Sequence, residues 1–128
     1  MDKKFKILLV DDESDFIEPI AFWLESKGYD VQMAVNGQQA LQSIDEDIPD
    51  IVLLDINMPV MDGIETLRKI RAKHQTLPVI MITAAIEQIS VLQDLNIAGF
   101  FPKSGSLTQL EQLLDPVLRL QAKMKPKP

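Results

Sequence analysis

The sequence contains no cysteine. A disulfide framework and thiolate chemistry are therefore excluded. It also has no long apolar run near its start. The segment Met1-Asp2-Lys3-Lys4-Phe5-Lys6 is basic, but the apolar stretch behind it is only Ile7 to Val10. That is too short for the apolar region of a signal peptide or for a membrane span. Nor is there an excess of positive charge. The net charge of −6 argues against nucleic acid as the main partner, because phosphate backbones are met by basic surfaces. Lys123, Lys125 and Lys127 near the end are too sparse to reverse this. A cytoplasmic protein with no membrane partner and no direct nucleic-acid binding is expected. What is present fits a globular chain: 46% of the residues are hydrophobic and 25% charged. At 128 residues one domain is expected, large enough for a sizeable core.

Five short apolar runs alternate with helical patterns. Phe5 to Val10 reads as a first buried strand stopped by Asp11-Asp12. Ser14 or Asp15 can cap a helix, and Asp15 with Glu18 has capping-box spacing. Phe16, Ile20, Trp23, Leu24 and Lys27 follow helical spacing, with Gly28 at the end. Pro19 is expected to make the first turn irregular without breaking the helix. Asp30 to Val35 is a second strand, Asn36-Gly37 a turn, and Gln38 to Asp45 a short helix. Ile51 to Leu54 is a third strand, buried on both faces, which drives into Asp55. Asp62-Gly63 opens a third helix with Ile64, Leu67 and Ile70 inward. Val79 to Ile82 is a fourth strand ending at Thr83. Ile86 to Leu95 is a weaker helical pattern. Ala98 to Phe101 is a fifth strand ending at Pro102-Lys103. A final amphipathic helix carries Leu107, Leu110, Leu113, Leu114, Val117, Leu118 and Leu120, with Pro116 inside it. The alternation predicts an α/β fold, a doubly wound parallel sheet with helices on both faces. The domain is expected over residues 5–121, with 122–128 a flexible Lys/Pro-rich tail.

The polar residues that stop the strands now fall on one edge. If strands one, three and four are neighbours, Asp11, Asp12 and Asp55 converge with the Thr83 hydroxyl and the Lys103 ammonium. Three close carboxylates repel one another unless a cation compensates them. Hard oxygen ligands favour Mg²⁺, with Mn²⁺ as an alternative. Asp55 is a carboxylate of the kind that forms an aspartyl phosphate. Phosphoryl transfer depends mostly on positioning and electrostatic stabilisation, which a cation and Lys103 would supply. The set fits a phosphate site better than a site for a neutral ligand. Asp11-Asp12 taken alone would read equally well as a solvated turn and helix cap. Thr83 alone would pass for an ordinary strand end. The only histidine, His74, lies in the polar stretch Lys73-His74-Gln75-Thr76 and is expected to be solvated, without a ligand role.

Ile7-Leu8-Leu9-Val10-Asp11-Asp12-Glu13, Asp55-Ile56-Asn57-Met58-Pro59 with Met61-Asp62-Gly63, Thr83-Ala84, and Lys103 together carry a resemblance. In order and spacing they resemble the receiver domain of two-component response regulators, over residues 5 to about 121. The resemblance implies a flavodoxin-like fold with strand order 2-1-3-4-5. It implies that Asp55 accepts a phosphoryl group from the phosphohistidine of a sensor histidine kinase or phosphotransfer protein. Asp12 would be the direct Mg²⁺ ligand, Asp11 the one acting through water, and Asn57 a ligand through its main-chain carbonyl. Thr83 would be the switch hydroxyl, with Ala84 beside it, Phe100 the switch aromatic and Lys103 the phosphate-pairing lysine. Phe100 and Phe101 are adjacent and must face opposite ways, so one of them is core. A downstream protein or output domain would read the state, and an unoccupied edge of the final Leu stripe would let a homodimer form on activation.

Two departures accompany the resemblance. The family lysine is usually followed by proline, often across a cis bond, whereas Ser104 follows Lys103 and Pro102 precedes it. The loop is still expected to keep the family shape. The interval from Thr83 to Lys103 is about two residues short, with the loss placed just after Thr83. The small Ala84 and Ala85 there would leave access to the site open. The leading function is a phosphorylation-controlled signalling switch and not an enzyme. A phosphohydrolase with an aspartyl nucleophile would share the sheet and the cation. It would ordinarily carry an acid two residues after the nucleophile, where this chain has Asn57. A receiver-like module acting by binding alone is the third reading, and the complete acidic set argues against it.

Overall fold

The structure is a computed structural model that describes residues 5–58, 61–84 and 96–124. Strands β1 (Lys6–Val10), β2 (Asp30–Ala34), β3 (Ile51–Asp55), β4 (Val79–Thr83) and β5 (Gly99–Pro102) form one sheet. Its order is β2-β1-β3-β4-β5 and every pairing is parallel. Helices α1 (Ser14–Ser26), α2 (Gly37–Glu46), α3 (Gly63–Lys73) and α4 (Leu107–Met124) complete the described elements. The expected helix over Ile86 to Leu95, the shortened interval after Thr83, and Ala85 lie outside the described residues.

Period-two alternation along the central strands divides the core into two layers. Leu8, Val10, Val52, Leu54, Val79 and Met81 face Ala40 and Ile44 of α2 and Leu67 and Ile70 of α3. Ile7, Leu9, Ile51, Leu53, Ile80 and Ile82 face α1 and α4 through Ile17, Ile20, Leu24, Leu110, Leu114 and Leu118. All five residues of β3 and all five of β4 are buried. Burying each such aliphatic side chain contributes about 1.5–3 kcal/mol, so the middle of the sheet is its most secure part.

Several local expectations are corrected. The N-cap of α1 is Glu13, not Ser14 or Asp15, and its side chain makes no capping bond. The Glu13 carbonyl instead accepts from the Phe16 and Ile17 amides at 3.0 and 3.2 Å. The buried stripe of α1 is Ile17, Ile20, Ala21 and Leu24, with Phe16 and Trp23 only flanking it. Lys27 stays at the surface, its ammonium 5.1 Å from the Trp23 ring centre and 3.1 Å from Glu111. Asn36 is a helix cap rather than part of a turn: its side chain accepts from the Gln39 amide at 2.8 Å, so α2 begins at Gly37. Asp62 caps α3 by accepting from the Glu65 amide at 2.8 Å.

Pro19 and Pro116 sit inside α1 and α4 without ending either helix. Both lie on exposed faces, where water can serve the carbonyl that loses its donor. Helix α4 runs to Met124, three residues past the boundary expected at 121. Gln121, Ala122, Lys123 and Met124 are all good helix formers, and Lys123 also favours the helix C-terminus.

His74 is half-buried rather than fully solvated. It closes the C-terminus of α3, donating its amide to Ile70 at 2.7 Å, and its Nε2 is enclosed without a hydrogen-bond partner. It stands in the wall of a groove between α2 and α3 that Leu41, Ile44 and Ile70 also line. Asp45, Lys69 and Lys73 line the same groove, so the ring sits at a mixed apolar and charged surface.

At this end of the sheet Arg71 acts as a clamp. Its guanidinium donates to the carbonyls of His74 at 3.1 Å, Leu77 at 2.7 Å and Asn96 at 2.8 Å. Burial holds it below its ordinary pKa, and its fork geometry serves three acceptors at once. Arg71→Ala is expected to lower stability by about 2 kcal/mol in urea unfolding, with Arg71→Lys recovering less than half. An unchanged unfolding midpoint in Arg71→Ala would count against the clamp.

Candidate acidic phosphate site

The parallel register sets the strand ends side by side. Val10 pairs with Leu54, Asp55 with Ile82, and Thr83 with Pro102. The next residue of β1 is Asp11 and the next of β5 is Lys103. All four polar residues therefore emerge at the carboxyl edge, where open α/β sheets bind ligands.

Backbone bonds hold this edge. The Asp11 amide donates to Ala34 at 3.1 Å, the Ile56 amide to Ile82 at 3.0 Å, and the Lys103 amide to Thr83 at 2.9 Å. The Gly63 amide donates to the Ile56 carbonyl at 2.7 Å, which seats the start of α3 directly behind Asp55. The Lys103–Ser104 peptide is trans, as are all others among the described residues, so the cis form usual in the resembling family is not kept here.

Asp11 and Asp55 are almost wholly buried, at 0% and 1% exposure, while Asp12 is exposed. One carboxylate oxygen from each of the three comes within 4.8 Å of the others. Lys103 Nζ lies 3.2 Å from Asp11 Oδ2 and 3.3 Å from Asp55 Oδ2. It also contacts Glu13 Oε1. The Phe16 ring covers the same ammonium, 5.1 Å from its centre. Asp11 Oδ1 accepts from the Glu13 amide at 2.9 Å, while its enclosed Oδ2 faces the Lys103 ammonium at 3.2 Å.

The charges in this cluster do not balance. Burial, and next the charge of Asp11, push the Asp55 carboxyl up to about 7. Lys103 is pulled down by burial, but Glu13, Asp55 and Asp11 together hold it above its usual range. One ammonium shared among three acids leaves a deficit of positive charge. The three carboxylates, with an oxygen of each within 4.8 Å of the others, therefore fit a hard divalent cation.

Each residue expected at the site can now be placed. Asp11, Asp12, Asp55 and Lys103 are in mutual reach. Thr83 is buried at the end of β4, between β3 and β5, and Ala84 after it is exposed. Asn57 exposes its side chain, and its amide donates to Asp55 Oδ1 at 3.4 Å. Phe100 stands apart from the carboxylates, 43% exposed on edge strand β5 in register with Met81. Phe101 is the core member of the pair, at 1% exposure. Pro59 lies outside the described residues. Glu13 and Phe16 are the two contacts that the sequence did not single out. Glu13 adjoins the acidic pair, which was the available signal.

Among the described residues no helix is long and apolar enough to cross a membrane. The family model for the response regulator receiver domain matches residues 7–115. A CheY-like receiver domain protein from Methanospirillum hungatei superposes with a TM-score of 0.89 at 26% identity, covering 96% of this chain and all of that one. The receiver domain of NtrX from Brucella abortus gives 0.83 at 30% identity, covering 88% of this chain and 98% of that one. The N-terminal domain of a three-domain response regulator/sensory box/GGDEF protein from Carboxydothermus hydrogenoformans gives 0.83 at 30% identity, covering 92% and 97%. The strand order found here is that of the flavodoxin-like receiver fold. With its acidic edge, its sheet order and a family match across most of its length, this chain belongs to the response regulator receiver domains of two-component signalling.

Proposed function

We propose that Asp55 accepts a phosphoryl group from the phosphohistidine of a histidine kinase or phosphotransfer protein, and that the modified domain signals to a downstream protein or output domain. The observation that carries this reading is the gathering of a buried Asp55 carboxylate with the Lys103 ammonium and the Asp11–Asp12 pair. An oxygen of Asp55 forms the new bond to phosphorus as the bond from phosphorus to the histidine nitrogen breaks, and the imidazole leaves. Asp11, Asp12, Asp55 and the main-chain carbonyl of Asn57 would hold Mg²⁺, or Mn²⁺ in its place. The bound cation supplies positive charge toward the phosphoryl oxygens.

Lys103 pairs with a phosphoryl oxygen, and the Thr83 hydroxyl donates to another. Ala84 leaves room for the group. Phe100 is the aromatic whose position follows that change, shifting an equilibrium between two states of one fold. Residues 5–121 act as the receiver unit, with α4 running on to Met124. Leu120, exposed on α4, offers an apolar contact for a second copy on activation. The chain is a regulatory phosphoacceptor in the cytoplasm, not a turnover enzyme. The side chain two residues after Asp55 is the amide of Asn57, which supplies no acid for rapid hydrolysis.

Incubation with Mg²⁺ and acetyl phosphate, followed by intact mass measurement, tests the reading. One phosphoryl adduct is expected on the native chain and none on Asp55→Asn. Rapid multiple turnover would favour a phosphohydrolase. Absence of an adduct together with absence of Mg²⁺ binding would leave only a binding module.

A further inference from the structure

Three carboxylates surround the Lys103 ammonium, and they are not equivalent. Asp11 and Asp55 are buried and share the acidic cluster with Asp12. Glu13 is outside that cluster, and its side chain is 61% exposed. It nevertheless reaches Lys103 across 90 residues of sequence. Phe16, one helical turn further along, covers the same ammonium from α1. The start of α1 thus supplies an anion and an aromatic face to a cation that belongs to the loop after β5.

We propose that Glu13 is a positioning residue for Lys103, an outer anchor that holds the ammonium at the mouth of the site until a phosphoryl group arrives. This rests on the phosphoacceptor reading given above. Lys103 is held at once by the inner pair, Asp11 and Asp55, and by the outer Glu13. A dianionic phosphoryl group on Asp55 would compete with Glu13 for the same ammonium. The Glu13 carboxylate would also repel the incoming donor at short range. Glu13 therefore opposes acceptance twice, through the pairing and through its charge. Exposure keeps the opposition modest, since solvent-exposed ion pairs are weak.

The test uses acetyl phosphate at saturating Mg²⁺, with the Mg²⁺ affinity of each variant measured separately. In the step observed, an Asp55 oxygen bonds to phosphorus, the bond from phosphorus to the acetate oxygen breaks, and acetate leaves. Glu13→Gln is expected to accept the group about two- to fivefold faster. In a Lys103→Met background the same substitution should change the rate less, because the larger part of its effect passes through the lysine and only the direct charge repulsion remains. An unchanged rate in Glu13→Gln, or an equal acceleration with Lys103 removed, would overturn the assignment.

A second readout needs no phosphorylation. Lys103 in the native chain should acylate slowly with acetic anhydride, by peptide mapping against the exposed Lys69. Glu13→Gln should raise that reactivity several-fold. If the native chain forms no adduct but Lys103 reactivity responds to Glu13, the phosphoacceptor reading fails while the anchor stands. If Lys103 reactivity ignores Glu13, the anchor fails whatever the phosphorylation result.

Discussion

Gly63→Ala is expected to lower the stability of the chain by about 3 kcal/mol and to weaken Mg²⁺ binding by roughly tenfold. The reason is proximity, not backbone freedom, because Gly63 is not among the residues with positive φ. A methyl group at Gly63 would stand 2.1 Å from the Asp55 carbonyl oxygen and 2.7 Å from the Ile56 Cα. Both obstacles are backbone at the end of a buried central strand, and neither can rotate away. The start of α3 would have to lift off, breaking the 2.7 Å bond from the Gly63 amide to Ile56. That movement loosens the turn that aims Asp55 and Asn57.

Gly37 gives the contrast. A methyl group there would meet the Thr66 hydroxyl at 2.2 Å and the Met61 sulfur at 3.0 Å, both side-chain atoms. Met61 can shift, whereas the buried Thr66 must give up its 2.8 Å bond to the Asp62 carbonyl; with no backbone of β3 in the way, Gly37→Ala should still cost less than Gly63→Ala and leave Mg²⁺ binding nearly intact. Urea unfolding and calorimetric Mg²⁺ titration of both variants check this. Equal losses in the two variants, or unaltered Mg²⁺ affinity in Gly63→Ala, would refute the special position of Gly63.

The sheet was legible in the sequence because its middle strands are buried on both faces. Ile51 to Leu54 and Val79 to Ile82 need no partner to announce themselves as continuous apolar runs. Each strand then ends at a polar residue, and a parallel sheet brings such ends to one edge. Asp11, Asp55, Thr83 and Lys103 gather there from the strand ends alone. The resemblance to receiver domains supplied the strand order, which alternation alone does not determine.

The less legible features are those in which distant segments meet. Asp62-Gly63 reads locally as a helix start. Only the fold reveals that its backbone lies against Asp55. Glu13 reads as one more acid beside Asp11-Asp12. Its contact with Lys103 comes from how α1 and the loop after β5 sit at the same edge. His74 has polar neighbours in sequence, yet its Nε2 is enclosed and it shares a groove wall with Leu41, Ile44 and Ile70. The apolar spacing on α1 finds Ile20 and Leu24, but it also takes in Phe16 and Trp23, which outweigh Ile17 and Ala21 by size. Helical phase nonetheless buries the smaller pair. Periodicity finds an amphipathic face more surely than it finds that face's centre.

In the absence of divalent cation, the chain is expected to lose stability as pH rises from about 5 to 7.5, by about 2 kcal/mol. The sign follows from Asp55. Burial and then Asp11 push its carboxyl up to about 7 in the folded chain, against 3.8 without them. Between those values the folded chain keeps a proton that the unfolded chain has released. Stabilisation from this group is complete below the unfolded value and is lost as pH passes through the folded one. Lys103 does not cancel the trend. Its own shift is upward from 10.5, so its contribution is lost only above this window. Asp55→Asn removes the titrating group and should flatten the profile, leaving the variant the more stable form near neutral pH without cation. Mg²⁺ should act in the opposite sense. It competes with the proton for the same oxygens, so the stability it adds by mass action grows as pH rises toward neutrality. Thermal unfolding of both proteins at about pH 5, 6 and 7.5, with and without Mg²⁺, measures all four trends. A native chain whose cation-free midpoint rises across this range would show that the carboxylates at this edge do not strain the fold.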